Sequence, residues 1–99
     1  MTEFDVLITA QAEADLDRII EFIRQQWSHS IKTDFLAALS QKMQLLTTMP
    51  FMYRASEVEP MVRECTVNRY ITMYYRVVED HKRVEILSFK DNRQQDRHP

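Results

Sequence analysis

Tyr70-Ile71-Thr72-Met73-Tyr74-Tyr75-Arg76-Val77-Val78-Glu79-Asp80-His81-Lys82-Arg83-Val84-Glu85-Ile86-Leu87-Ser88-Phe89-Lys90 is the stretch that decides the fold. Two runs rich in β-branched and aromatic residues, Tyr70–Val78 and Arg83–Lys90, flank a polar break of four residues, so the segment reads as a β-hairpin. Alternation along the first run sends Ile71, Met73, Tyr75 and Val77 to one face and Tyr70, Thr72, Tyr74 and Arg76 to the other. In the second run the same rule sets Val84 and Ile86 against Leu87 and Phe89. Both faces are then partly apolar, and each needs a cover.

Upstream, Met61–Val67 reads as a third strand, preceded by an irregular stretch from Phe51 to Pro60 bounded by prolines. Further back the apolar period changes from two to three or four. Ala12, Leu16, Ile19, Ile20, Ile23 and Trp27 form one helical face, and Phe35, Ala38, Leu39, Lys42 or Met43, Leu46 and Met49 form another, stopped by Pro50. Thr9 is placed to cap the first helix, and Ser28 or Ser30 the second, which runs from about Ile31 to Met49. Glu13, Asp15 and Asp17 sit in the early turns, where the helix dipole favours carboxylates. Phe4–Ile8 is a short strand, apolar enough to be mostly buried. The link between the helices is short, which predicts an antiparallel helical hairpin. The order β-α-α-β-β-β gives an α+β fold, with the hairpin on one face of a mostly antiparallel four-stranded sheet. The second face is left to the Phe51–Pro60 loop, with Phe51, Met52 and Tyr53 as covers, together with the polar tail, or to a partner.

A chain of 99 residues, 44% hydrophobic and 28% charged, fits one globular domain over 1–99. It contains no glycine, which excludes a P-loop, a dinucleotide-binding turn and a nucleophile elbow. His29, His81 and His98 are scattered and Cys65 stands alone, so no metal-ligand spacing or disulfide is expected and no cofactor is implied. Cys65 reads as a small buried hydrophobe and Trp27 as a core anchor. The opening Met1-Thr2-Glu3-Phe4-Asp5 has no basic leader, and no apolar run approaches the roughly 20 residues of a membrane span. A cytoplasmic protein is expected.

Three segments together resemble a known family. Met61-Val62-Arg63-Glu64-Cys65-Thr66-Val67, then Tyr70–Val78, then Val84-Glu85-Ile86-Leu87-Ser88-Phe89 are similar to the three C-terminal strands of the RelE/ParE toxin superfamily. The close Phe89-Lys90-Asp91-Asn92-Arg93-Gln94 resembles the arginine-bearing end of that sheet in the ParE-like branch. Ala12, Asp15, Leu16 and Ile19 fit the family's opening helix. The resemblance covers nearly the whole chain. It implies the toxin of a type II toxin–antitoxin (plasmid stabilisation) system, neutralised by a small, partly disordered cognate antitoxin that folds as it binds. Such an antitoxin would lay a helix against the hairpin or add a strand to the sheet edge.

Two actions are known in that family. RelE-like members are ribosome-dependent, metal-independent endoribonucleases using clustered Lys, Arg and Tyr. ParE-like members inhibit DNA gyrase by protein–protein contact. An RNA cutter needs cations for the phosphate and an acid/base for the 2′-hydroxyl, and a formal net charge of −2 runs against polyanion binding. The acidic residues concentrate in the helical half, at Glu3, Asp5, Glu13, Asp15, Asp17 and Glu21. Arg54, Arg63, Arg69, Arg76, Lys82, Arg83, Lys90, Arg93 and Arg97 leave room for a locally basic sheet. Glu57-Val58-Glu59-Pro60 stands where paired lysines would precede Arg63, and the tail tyrosine of the RNA cutters is missing beside Asn92 and Gln94. The reading is therefore gyrase inhibition without catalysis, against two alternatives, an mRNA endonuclease or a non-toxic binding module. Target or antitoxin contacts are expected at Arg63, Tyr74, Tyr75, Arg76, Lys90, Asn92 and Arg93; the resemblance matches Arg63 and Arg93, which are the catalytic candidates should the chain cut RNA. Arg63 could instead pair with Glu85, Tyr75 and Arg76 could be sheet-face packing, and Tyr74 could be core or interface.

Overall fold

The structure, a computed structural model, describes residues 3–26 and 28–92. The elements follow the expected order: β1 Asp5–Ile8, α1 Ala10–Gln26, α2 His29–Thr48, β2 Arg63–Thr66, β3 Ile71–Val78 and β4 Arg83–Asp91. The sheet runs β1-β4-β3-β2. Its β2–β3 and β3–β4 pairs are antiparallel and its β1–β4 pair is parallel. The last strand therefore lies inside the sheet, between the first strand and the hairpin partner.

Local chemistry explains the boundaries. Thr9 caps α1 as its position predicts, its Oγ1 accepting from Ala12 N at 3.2 Å. The same hydroxyl donates to Ile86 O at 2.8 Å, which ties the helix entry to β4. Ser28 sits at the N-cap of α2 in an extended conformation with no side-chain cap bond, and the helix begins at His29, two residues earlier than expected. The hairpin turn is a 3₁₀ turn at Glu79–His81, closed by Lys82 with φ 50° and ψ 51°. In a chain without glycine, a lysine occupies this left-handed position and carries the Cβ penalty that glycine would avoid.

The core lies between the helices and one sheet face. Ala12, Ile19 and Ile23 from α1 and Phe35, Leu39 and Leu46 from α2 meet Cys65, Ile71, Met73, Tyr75, Val84, Ile86 and Phe89. Trp27, expected to anchor this core, lies outside the described residues. Phe89 corrects the alternation read from the sequence, which set it opposite Val84 and Ile86. Tyr74 pairs with Ser88 but Tyr75 with Ile86, so Leu87 is an extra residue, a β-bulge. One inserted residue switches the parity of everything after it. Phe89 is thereby returned to the core beside Met73, while Leu87 goes to the opposite face.

Two further expectations change. β1 is an edge strand rather than a mostly buried one, with Leu7 48% and Ile8 38% exposed. Asp15 does more than complement a helix dipole. It is 5% exposed, and its Oδ2 accepts from Phe89 N at 3.1 Å, while Gln11 and Arg18 bond its other oxygen. The β1–β4 pairing ends at Ile8↔Ile86, so the Phe89 amide lies beyond the reach of β1. A carboxylate from α1 takes the place of the missing strand and satisfies it.

Candidate functional site

The sheet face turned away from the helices is built as three cross-strand rows. Thr66, Thr72 and Lys90 form one, and Glu64, Tyr74 and Ser88 the next. Arg76, Glu85 and Leu7 form the third. Asn92 closes the end: its N donates to Tyr70 O at 2.7 Å and its Nδ2 to Thr72 Oγ1 at 3.1 Å. Tyr74, Arg76, Lys90 and Asn92 thus come together on this face. Arg93 lies outside the described residues.

Arg63 and Tyr75 do not join them. β2–β3 pairing sets these two side by side on the core side of the sheet. The Arg63 guanidinium stacks over Phe51 at 5.0 Å and its Nη1 donates to Tyr53 O at 2.7 Å. It makes no ion pair with Glu85, which the sequence had offered as its partner. Tyr75 is fully buried and its hydroxyl donates to Pro50 O at 2.8 Å. Its ring meets that of Tyr53 edge-on, with centroids 6.5 Å apart. Burial pushes its phenol up to about 12, partly offset by the nearby Arg63 charge. Both residues clamp the chain that leaves α2, and neither is presented on the open sheet face.

Tyr53 therefore covers the core side, while Phe51 and Met52 stay 46% and 48% exposed. The second face is bordered instead by the later part of the loop. Ser56, Val58, Glu59 and Val62 form one wall of a groove of about 510 Å³, with Glu64, Tyr74, Leu87, Ser88 and Lys90 as its floor and far wall. These loop residues and Leu87 were missed in the sequence. The signal available was two apolar residues set among glutamates, Glu57-Val58-Glu59-Pro60-Met61, with no helical or strand period to bury them.

Most cations of this face are tied to a carboxylate, two of them to the same one. Arg76 Nε and Arg83 Nε reach the two oxygens of Glu85 at 2.7 and 3.0 Å. Arg54 lies 3.7 Å from Glu64. The hydrogen bond from Arg76, followed by the charges of Arg76 and Arg83, holds the Glu85 carboxyl below its ordinary range. Partial burial, then the charge of Glu64, raises the Tyr74 phenol, which keeps it a neutral donor and weakens it as a general base. Lys90 is the exposed cation on this face with no ion-pair partner among the described residues. No three His, Cys, Asp or Glu side chains gather into a metal-binding group among the described residues, and no described helix is long and apolar enough to cross a membrane.

On the helix side a second groove, about 530 Å³, is lined by Ile23, Ile31, Phe35, Ala38, Tyr70 and Ile71, with Asp34, Asn68 and Arg69 completing it. Its apolar walls and opposite charges suit an amphipathic segment.

Comparison with known proteins agrees with the topology. The chain superposes on the chromosomal ParDE toxin–antitoxin system of P. aeruginosa with a TM-score of 0.72 and 23% identity, covering 89% of this chain and 95% of that one. For the RelBE2 toxin–antitoxin complex of Mycobacterium tuberculosis the TM-score is 0.64 at 18% identity, with 92% and 93% covered. For the YoeB/ParE toxin of Agrobacterium tumefaciens it is 0.65 at 12%, with 89% and 98% covered. No protein of curated function matches the sequence. The family model described as the ParE toxin of the type II toxin–antitoxin system parDE matches residues 6–96. That match runs from within β1 to beyond β4, and on it the chain belongs to the ParE toxin family of type II toxin–antitoxin systems.

Proposed function

We propose that this toxin acts by protein–protein contact, as an inhibitor of DNA gyrase, without cutting RNA. The observation that carries the reading is the state of the cations. Arg76, Arg83 and Arg54 are paired with Glu85 and Glu64, and Arg63 is spent on loop carbonyls. Among the described residues of the open sheet face, Lys90 is the one cation without a carboxylate partner, which does not make a phosphate-holding cluster, and Tyr74 beside Glu64 is a poor base. A metal-independent ribonuclease needs several unneutralised cations at the reacting phosphate. A protein interface needs mixed polar, aromatic and apolar surface.

The partner in the cell is a cognate antitoxin, a small and partly disordered protein. The helix-side groove around Phe35 and Ile71 fits its amphipathic segment, and the exposed β1 edge fits an added strand. Antitoxin in either position neutralises by holding the toxin off its target. The test is inducible expression of this chain alone, followed by growth, plasmid supercoiling and translation. Growth arrest with gyrase inhibition, weakened by Arg93→Ala, is expected. Arrest with cut mRNA and blocked translation would replace this reading with the endonuclease. Normal growth from folded protein would leave a binding module.

A further inference from the structure

The loop between α2 and β2 is tied by more hydrogen bonds than its composition suggests. Ser56 N donates to Val62 O at 2.7 Å and Glu64 N to Arg54 O at 3.1 Å, with Ala55 bridging Arg63. Together these make a small antiparallel hairpin on the outer edge of β2. Its tip is fastened from within: Ser56 Oγ accepts from Val58 N and Glu59 N at 3.1 and 3.3 Å, and Val62 N donates to Glu59 O at 2.9 Å. Arg63 and Tyr75 hold its root through the carbonyls of Tyr53 and Pro50.

This fixed tip presents apolar side chains to water. Val58 is 88% and Met61 82% exposed. Single exposed apolar residues are ordinary, but these two stand on one hydrogen-bonded tip, and the apolar surface continues into the groove through Val62 and Leu87. Such a surface is preorganised, so little ordering entropy is lost when it docks. Its flanks are acidic: Glu57 and Glu59 are exposed and have no ion-pair partner among the described residues. Unpaired carboxylates beside an apolar tip repel a phosphate backbone and favour a cationic partner.

We propose that the 57–61 hairpin tip is the element that grips the target, a protein surface with an apolar patch edged by lysine or arginine. Val58 and Met61 enter the patch, Glu57 and Glu59 meet the basic edge, and Arg63 and Tyr75 are positioning residues that hold the tip. This rests on the reading of the toxin as acting by protein contact and names the surface it uses.

The experiment compares the full chain with V58D/M61D and E57K/E59K, each first checked for an unchanged thermal melt. Should the aspartates disturb folding, V58S/M61S replaces them. Growth arrest and inhibition of purified gyrase are read side by side. The inhibitory concentration of V58D/M61D is expected to rise on the order of tenfold or more, as for loss of interface anchors, with arrest lost in parallel. E57K/E59K is expected to weaken inhibition, and more so at low salt. Arrest as strong from V58D/M61D as from the parent would overturn the proposal. Stronger action of E57K/E59K would overturn it too, because that outcome marks a nucleic-acid target. Should the parent arrest growth without touching gyrase, the gyrase reading falls, and arrest by the same variants still decides the tip. A parent that arrests nothing overturns both.

Discussion

Replacing Tyr75 by phenylalanine isolates one hydroxyl at the root of the loop. The ring is fully buried and keeps its edge contact with Tyr53, but the bond to Pro50 O is lost and that carbonyl loses its donor. Leaving a buried acceptor short costs about 1–2 kcal/mol near neutral pH. For a domain of 99 residues this lowers the melting temperature by roughly 5–15 °C. A second signature lies at alkaline pH. The fold holds the neutral phenol, with its ionisation raised to about 12 from 10. The unfolded chain releases that proton from pH 10 upward, so the stabilisation is complete below pH 10 and is lost as pH climbs toward 12. By pH 11 the parent should have lost about 1.4 kcal/mol that the phenylalanine variant cannot lose. Tyr53 and Tyr74 titrate in both proteins and largely cancel in the comparison. Urea unfolding at pH 7 and pH 11 measures both quantities. Equal midpoints at pH 7, or a gap that widens with pH, would refute the clamp.

Asp15→Ala should cost about 2–3 kcal/mol, because a buried amide is orphaned, and hydrogen exchange at Phe89 N should accelerate beyond that of its neighbours. Lys82→Gly relieves the left-handed turn and should stabilise by about 0.5–1 kcal/mol, read as a higher denaturation midpoint. Glu85→Gln acts through a carboxyl whose ionisation is depressed in the fold. The stabilisation it removes is present above the ordinary value of 4.5 and lost as pH falls below it, so the variant's acid limb should be flatter in pH-dependent melts. The same change frees Arg76 and Arg83, and retention on heparin should increase if their pairing is what keeps this face from binding polyanions.

The elements were legible because their periods differ. Ile71, Met73, Tyr75 and Val77 alternate as a half-buried strand must, and the Ile19, Ile23, Phe35 and Leu39 spacing is helical. Thr9 sat where a cap belongs. What escaped depends on contacts between distant parts of the chain. Leu87 carries no mark of a bulge, since a leucine fits either face, so the parity of Phe89 came out reversed. Asp15 looked like an ordinary early-turn acid because its acceptor role involves an amide 74 positions away. Arg63 was placed on a working surface by family likeness. Its actual partners are carbonyls of an irregular loop, and backbone carbonyls leave no trace in residue identity. On the candidate site, alternation put Tyr74 and Arg76 on one face and strand pairing adds Lys90 and Asn92 to it, while the hairpin tip that borders them has no period by which to find it.

The strand order β1-β4-β3-β2 also sets a schedule for synthesis. A ribosome adding about 5–20 residues per second makes both helices, β2 and β3 before the strand that must sit between β1 and β3. Until β4 emerges, β1 has no neighbour, Asp15 has no amide to meet and the helical hairpin has only half a sheet to cover. Intermediate nascent chains therefore lack the surface on which Tyr74 and Lys90 face the loop. That face should be completed late and at once, when the final strand slots into place. A partner protein already present would meet the newborn toxin with its apolar grooves still open.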